Sequence, residues 1–148
     1  MRKMPVLLVE DSIDDVMLVR RAFDKARITH PLHTVGDGDQ ALDYLKGSNQ
    51  YSERSAYPLP ALILLDLKLP RRSGLEVLSW LKTTAELRRI PVIVLTSSRE
   101  NVDVDRAYEL GVNSYLVKPV EFNALLELIR TLNLYWLVMN EHPGPVEG

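Results

Sequence analysis

The chain has 148 residues, enough for one domain around a single core and short for two. With 18 Lys+Arg against 20 Asp+Glu the formal net charge is -2, which argues against the broad positive field that nucleic-acid phosphates require. It contains no cysteine, so disulfides, thiol nucleophiles and cysteine-held zinc or iron–sulfur sites are all excluded.

The N-terminal "MRKMPVLLVED" pairs two basic residues with a short apolar stretch, but Glu10 and Asp11 arrive before any cleavage site. It reads as a first strand rather than an export signal. No apolar run approaches the roughly 20 residues that span a bilayer. The expected compartment is the cytoplasm, with neither membrane nor nucleic acid as a partner.

Five short apolar runs follow one another: "PVLLVE" at 5–10, "LHTVG" at 32–36, "ALILLD" at 61–66, "PVIVLT" at 91–96 and "SYLVK" at 114–118. The first, third and fourth are apolar at successive positions, as in strands covered by helices on both faces. Segments with helical spacing separate them, so the pattern is βα repeated five times around a parallel sheet.

The first helix is expected after Ser12, with Val16, Val19 and Phe23 on one face and Asp14 and Asp15 in the first turn, where the helix dipole favours acids. The second carries Ala41, Leu42 and Leu45 and should stop at Gly47. The polar stretch at 47–60, with two prolines and no period, predicts a long loop. The third helix has Leu75, Leu78 and Leu81 on one stripe and Ser73 as its cap. A fourth closes at Gly111, and "EFNALLELIRTLNLYWLVMN" is the longest helical candidate. We expect one domain over 1–140 with an extended last helix, and a Pro/Gly-rich flexible tail over 141–148.

In an open parallel sheet, ligands sit beyond the carboxyl ends of the strands. Strand one ends at Glu10 and Asp11, strand three at Asp66, strand four at Thr96 and strand five at Lys118. Each has a bland reading taken singly: a helix cap, a structural threonine, a solvated turn lysine. Their coincidence on one sheet edge is the informative fact. Three carboxylates brought together repel unless a cation shares them, and Mg2+, a hard ion that takes oxygen ligands, fits. Acids, metal, lysine and hydroxyl together suit phosphoryl transfer onto a carboxylate.

The motifs "LLVEDS", "LILLDLKLPRRSGLEVL", "IPVIVLTS" and "GVNSYLVKPV" closely resemble those of the receiver domain of two-component response regulators, in the family's order and over nearly the whole chain. The resemblance implies a flavodoxin-like, doubly wound (βα)5 fold of the α/β class, with a five-stranded parallel sheet in the order 2-1-3-4-5 and helices on both faces. It implies Asp66 as phosphoacceptor from the phosphohistidine of a sensor histidine kinase. The metal site would be Glu10, acting largely through water, with Asp11, Asp66 and the backbone carbonyl of Lys68, and Mg2+ would be the cofactor. Lys118 would pair with the phosphoryl oxygens, across a cis bond to Pro119. Thr96 and Tyr115 would form the switch that alters the face built from the fourth helix, fifth strand and fifth helix. Lys68 and Ser98 occupy the positions that tune phosphoryl lifetime, and a lysine there offers water no acid/base help, so moderate to slow self-hydrolysis is expected.

Because the chain ends shortly after its last helix, the expected output is a protein contact or onward phosphotransfer. Phe122, Leu125, Leu126 and Ile129 form one stripe of that helix for the sheet to cover. Leu128, Leu132, Tyr135 and Met139, widened by Trp136, form a second, read either as a broad core face or as a homodimer interface. The extended helix and long loop are similar to stand-alone receivers that partner bacterial phytochrome-type kinases. Arg71 and Arg72 could meet an acidic kinase surface or simply be solvated. His30, His33 and His142 have no metal-ligand spacing.

Three other readings compete. A haloacid-dehalogenase-like phosphatase needs an acid two residues after its Asp nucleophile, where this chain has Lys68. A flavodoxin-like binding module needs a Ser/Thr/Gly-rich phosphate loop where Glu10 and Asp11 stand. A receiver working only as an interaction domain would not need the intact acidic set.

Overall fold

A computed structural model describes residues 3–139; of Met139 only the backbone is described. The tail expected over 141–148, and His142 within it, lie outside the described residues.

Five strands form one parallel sheet: β1 (Val6–Val9), β2 (Leu32–Val35), β3 (Leu62–Leu65), β4 (Val92–Thr96) and β5 (Ser114–Val117). Their order is β2-β1-β3-β4-β5, the flavodoxin-like arrangement. The helices between and after them are α1 (Ile13–Lys25), α2 (Gly38–Lys46), α3 (Gly74–Thr83), α4 (Asn101–Glu109) and α5 (Phe122–Leu132). A π-helical segment, Asn133–Met139, prolongs α5.

The three inner strands β1, β3 and β4 are buried at every position, which is why they read as unbroken apolar runs. Successive strand side chains point to opposite faces and so build two cores. Leu7, Val9, Ile63, Leu65, Val92 and Val94 meet α2, α3 and α4 on one face. Val6, Leu8, Leu62, Leu64, Ile93 and Leu95 meet α1 and α5 on the other. The outer strands are less covered, and none of the β5 positions is fully buried.

Local chemistry sets the helix ends. Ser12 accepts from the Asp15 N–H at the start of α1, and Ser73 with Glu76 forms a full capping box on α3. Gly47 ends α2 at φ 70°, the left-handed conformation that glycine adopts without strain.

The stretch at 47–60 is more ordered than its polarity predicts. It contains a 3-10 turn, Asn49–Tyr51, whose Tyr51 is buried against Tyr44 and Tyr57. Arg54 donates to the carbonyls of Tyr44, Leu45 and Tyr57, closing the C-terminal end of α2 from the loop. His33 Nδ1 lies 2.7 Å from the Tyr44 hydroxyl, which gives that histidine a packing role.

Leu132 belongs to the chain's own core, at 7% exposure, and Leu128, Trp136 and Leu137 pack against the same core from its edge. The stripe read as a possible dimer interface is therefore split. Exposed apolar surface remains at Leu134, Tyr135 and Val138.

Candidate functional site

The carboxyl ends of β1, β3, β4 and β5 converge on one edge, and each delivers a side chain from its last residue or the one after it. Asp66 follows the central strand β3 and is 6% exposed. Its N–H bonds to the Val9 carbonyl, which fixes the carboxylate beside Glu10 on the neighbouring strand end. Thr96, the last residue of β4, is fully buried and donates its hydroxyl to Asp66 Oδ1 at 2.6 Å. Lys118, just beyond β5, reaches Asp66 Oδ2 at 3.2 Å and pairs with Glu10 as well. The two oxygens of Asp66 are thus held by different donors, one neutral and one cationic.

Lys118 also faces Asp15 at 2.9 Å, a residue that sequence reading had assigned only to the helix dipole. Asp15 lies in the first turn of α1, which starts at this sheet edge. That first-turn position, directly after the end of β1, was the available signal. Burial disfavours charge on Lys118, but its hydrogen bonds to Glu10 and Asp15 and the charge of Asp66 outweigh it and hold the ammonium above the usual lysine range. Burial pushes the Glu10 carboxyl up to about 7, against its hydrogen bonds from Lys118 and the Ser12 N–H, with the Asp66 charge adding to the rise.

No cis peptide bond occurs among the described residues, so the bond between Lys118 and Pro119 is trans, contrary to the expectation above. Trans is the intrinsically favoured isomer even before proline. With it the Lys118 ammonium still reaches all three carboxylates.

Ligand oxygens of Glu10, Asp11 and Asp66 all lie within 4.8 Å of one another. Glu10 and Asp66 are buried, Asp11 is exposed, and among the described residues the one ammonium paired with them is that of Lys118. An all-oxygen donor set with more negative than positive charge, open to solvent at one member, fits a hard divalent cation.

The loop after β3 folds back tightly. The Gly74 N–H bonds to the Leu67 carbonyl, and a Cβ on Gly74 would lie 2.2 Å from the Asp66 carbonyl oxygen. On its far side the loop approaches α2, where a Cβ on Gly38 would lie 2.0 Å from the Arg72 carbonyl oxygen. Arg71 and Arg72 are paired within the chain, with Asp37 at 3.8 Å and Asp39 at 3.2 Å.

The whole of this arrangement matches a known family. Residues 6–130 match the response regulator receiver domain. The chain belongs to that family. Among similar receivers is the probable methanogenesis regulatory protein FilR2 of Methanothrix harundinacea, 44% identical over 140 residues, 95% of this chain and 88% of FilR2. Response regulator Rcp1 of Synechocystis is 41% identical over 132 residues, 89% of this chain and 88% of Rcp1, and its Mn2+-bound crystal structure superposes with a TM-score of 0.85. The crystal structure of the phosphorylated cyanobacterial phytochrome response regulator RcpA is 34% identical, covers 96% of this chain and 99% of its own, and has a TM-score of 0.89. The chain is thus a receiver similar to phytochrome response regulators.

Within this receiver the remaining expected residues lie around the β4–α4 loop. Tyr115, in β5, donates its hydroxyl to the Ser98 carbonyl at 3.0 Å. The Ser98 hydroxyl donates to Asp103 Oδ2 at 2.5 Å, and Lys68 Nζ lies 3.6 Å from the same oxygen. With the side chain at 68 a lysine turned toward α4, no acid stands where a dehalogenase-like phosphatase would need one. Asp103 was not among the residues singled out from sequence. In "ENVDVDRAYELG" it is one of several acids on a helix, and nothing in that spacing marks it.

Proposed function

We propose that this receiver takes a phosphoryl group onto Asp66 from the phosphohistidine of a sensor histidine kinase. The observation that carries the reading is the double hold on Asp66: a buried carboxylate at the central strand end, with Thr96 on one oxygen, Lys118 on the other, and two further acids within ligand distance. An isolated buried acid would cost several kcal/mol and would not be retained for packing.

In the transfer, an Asp66 oxygen bonds to phosphorus as the phosphorus–nitrogen bond to the kinase imidazole breaks, and the imidazole nitrogen keeps the electron pair. Lys118 meets the charge on the incoming phosphoryl oxygens without a proton changing hands. Glu10, Asp11, Asp66 and the backbone carbonyl of Lys68 would hold Mg2+. When bound, that ion neutralises charge on the phosphoryl oxygens. The same groups serve self-catalysed uptake from a small phosphodonor and self-hydrolysis.

A phosphoryl group on Asp66 offers the Thr96 hydroxyl a more strongly charged acceptor than a carboxylate oxygen. Drawing Thr96 toward it pulls on β4 and on the loop at Ser98, where the Tyr115 hydroxyl is already bonded. The face formed by α4, β5 and α5 is the readout.

Similarity to RcpA supports a phytochrome-type kinase as donor. Exposed Leu134, Tyr135 and Val138, beside half-buried Trp136, support a homodimer contact at the end of α5. A cytoplasmic location accords with a kinase partner and with the lack, among the described residues, of any helix long and apolar enough to cross a membrane.

Incubation with Mg2+ and acetyl phosphate, read by intact mass, tests the central claim. The wild type should gain one phosphoryl group and Asp66→Ala none. No gain in the wild type, or the same gain in the variant, overturns the reading. Beryllofluoride with Mg2+, read by tryptophan fluorescence, gives the non-covalent counterpart.

A further inference from the structure

We propose that Asp103 is a positioning residue for the phosphoryl chemistry of Asp66: its carboxylate draws the Lys68 ammonium and the Ser98 hydroxyl toward α4 and away from the phosphoryl group, and so shortens the life of the aspartyl phosphate. The inference rests on Asp66 being the phosphoacceptor.

Three observations carry it. Asp103 sits in the first turn of a surface helix, yet its side chain is only 13% exposed. In a capping box the side chain at the third position of a helix turns back to the N-cap N–H. Here that N–H, on Glu100, points to the Ser98 hydroxyl instead, and Asp103 is directed sideways at the loop after β3.

Secondly, one oxygen of Asp103 gathers both side chains that flank the acceptor. Oδ2 accepts from Ser98 Oγ and faces Lys68 Nζ. Lys68 leaves the backbone two residues after Asp66, and its own N–H lies 3.4 Å from Asp66 Oδ1. The lysine side chain is therefore rooted at the rim of the site, with α4 on one side and the acceptor on the other.

Thirdly, Lys68 is 64% exposed, and among the described residues its one ion pair is this one. A long exposed side chain has many conformations of similar energy, so a weak attraction decides where its charge spends its time. Asp103 and a phosphoryl group on Asp66 compete for the same ammonium.

The consequence follows from the hydrolysis step. A water oxygen bonds to phosphorus as the bond from phosphorus to the Asp66 oxygen breaks; Asp66 departs as carboxylate and the water's proton passes to solvent. An ammonium cannot accept that proton. Placed against the phosphoryl group it stabilises the aspartyl phosphate and covers the approach of water. Held by Asp103, it does neither.

The test compares loss of phosphate at fixed Mg2+, by intact mass after removal of acetyl phosphate. Wild type, Asp103→Asn, Asp103→Glu, Lys68→Met and the double variant Asp103→Asn/Lys68→Met are followed. Asp103→Asn should lengthen the lifetime roughly twofold to fivefold, within the range of an exposed ion pair. Asp103→Glu, which keeps the charge, should stay near wild type. In the Lys68→Met background the Asn substitution should change nothing, which a merely structural effect on α4 would not obey. Lys68→Met alone should live no longer than wild type, and a longer life in this arm overturns the proposal even if Asp103→Asn fails to fold. An unchanged or shorter lifetime in Asp103→Asn, the same lengthening without Lys68, or a longer-lived Lys68→Met overturns the proposal while leaving Asp66 as acceptor. A wild type that takes up no phosphoryl group removes both.

Discussion

Thr96 and Asp66, ends of adjacent parallel strands, are joined by a buried hydroxyl–carboxylate hydrogen bond of 2.6 Å. Thr96 has no exposed surface, so whatever acceptor its hydroxyl takes must come from this site. Valine has the shape of threonine without the donor. Thr96→Val should cost about 1–3 kcal/mol of unfolding free energy, the penalty for leaving a buried polar group short of a partner. Thr96→Ser keeps the donor and should recover most of it. Urea denaturation of the three proteins is the check, and a valine variant as stable as the wild type would show that the bond contributes nothing to the resting state.

Lys118 pairs with Glu10, Asp15 and Asp66 at once and is shared among the three. Lys118→Met leaves those carboxylates facing one another with only a divalent ion to relieve them. Uptake of phosphoryl from acetyl phosphate should fall about 100-fold, as when one preorganised electrostatic donor is removed from a reaction site. Melting temperature should also become more sensitive to added Mg2+ than in the wild type, because the ion now carries the whole neutralisation. A variant with the wild type's uptake rate would assign Lys118 a structural role only.

How much of this was legible beforehand depended on whether a signal was local. The strands could be read from unbroken apolar runs, and Ser73 and Gly47 from their capping chemistry. Glu10, Asp66, Thr96 and Lys118 could be placed together because a parallel sheet brings all strand ends to one edge. Asp15 and Asp103 could not be assigned in the same way. Each acts through a side-chain direction across elements far apart in the chain, 103 residues in the pairing of Asp15 with Lys118. Leu132 was ambiguous for a related reason. Helical spacing gives a face, but which neighbour covers it depends on how α5 lies against α1 and the sheet. The stretch at 47–60 reads as a long loop, but its internal order comes from Tyr51, Tyr57 and Arg54 reaching back to α2, which no periodicity shows.

The split of the last helix into a core face and a free face separates stability from association. Leu132→Ala removes a core side chain and should cost about 2–5 kcal/mol, with no direct effect on oligomeric state in the folded protein. Tyr135→Ser removes exposed aromatic surface and should leave unfolding within about 0.5 kcal/mol of wild type. If the end of α5 is the homodimer contact, sedimentation of Tyr135→Ser should shift toward monomer. Equal sedimentation of the wild type and this variant would remove the contact from the proposed function.

Gly74 makes the loop after β3 possible by letting the first turn of α3 lie against the backbone of Asp66 and Leu67. A Cβ there would sit 2.2 Å from the Asp66 carbonyl oxygen and 2.6 Å from Leu67 Cα, both backbone atoms that cannot rotate away. Gly74→Ala would ordinarily favour a helix by about 1 kcal/mol. Here it must push the loop off α3 and carry Asp66 with it, so overpacking of about 1–3 kcal/mol should outweigh the helix gain. Phosphoryl uptake should fall as the carboxylate leaves Thr96 and Lys118. Denaturation and acetyl-phosphate loading of Gly74→Ala measure the two effects separately. A variant that is more stable than wild type and loads normally would mean that the loop yields at little cost and that its tight path is not needed for the site.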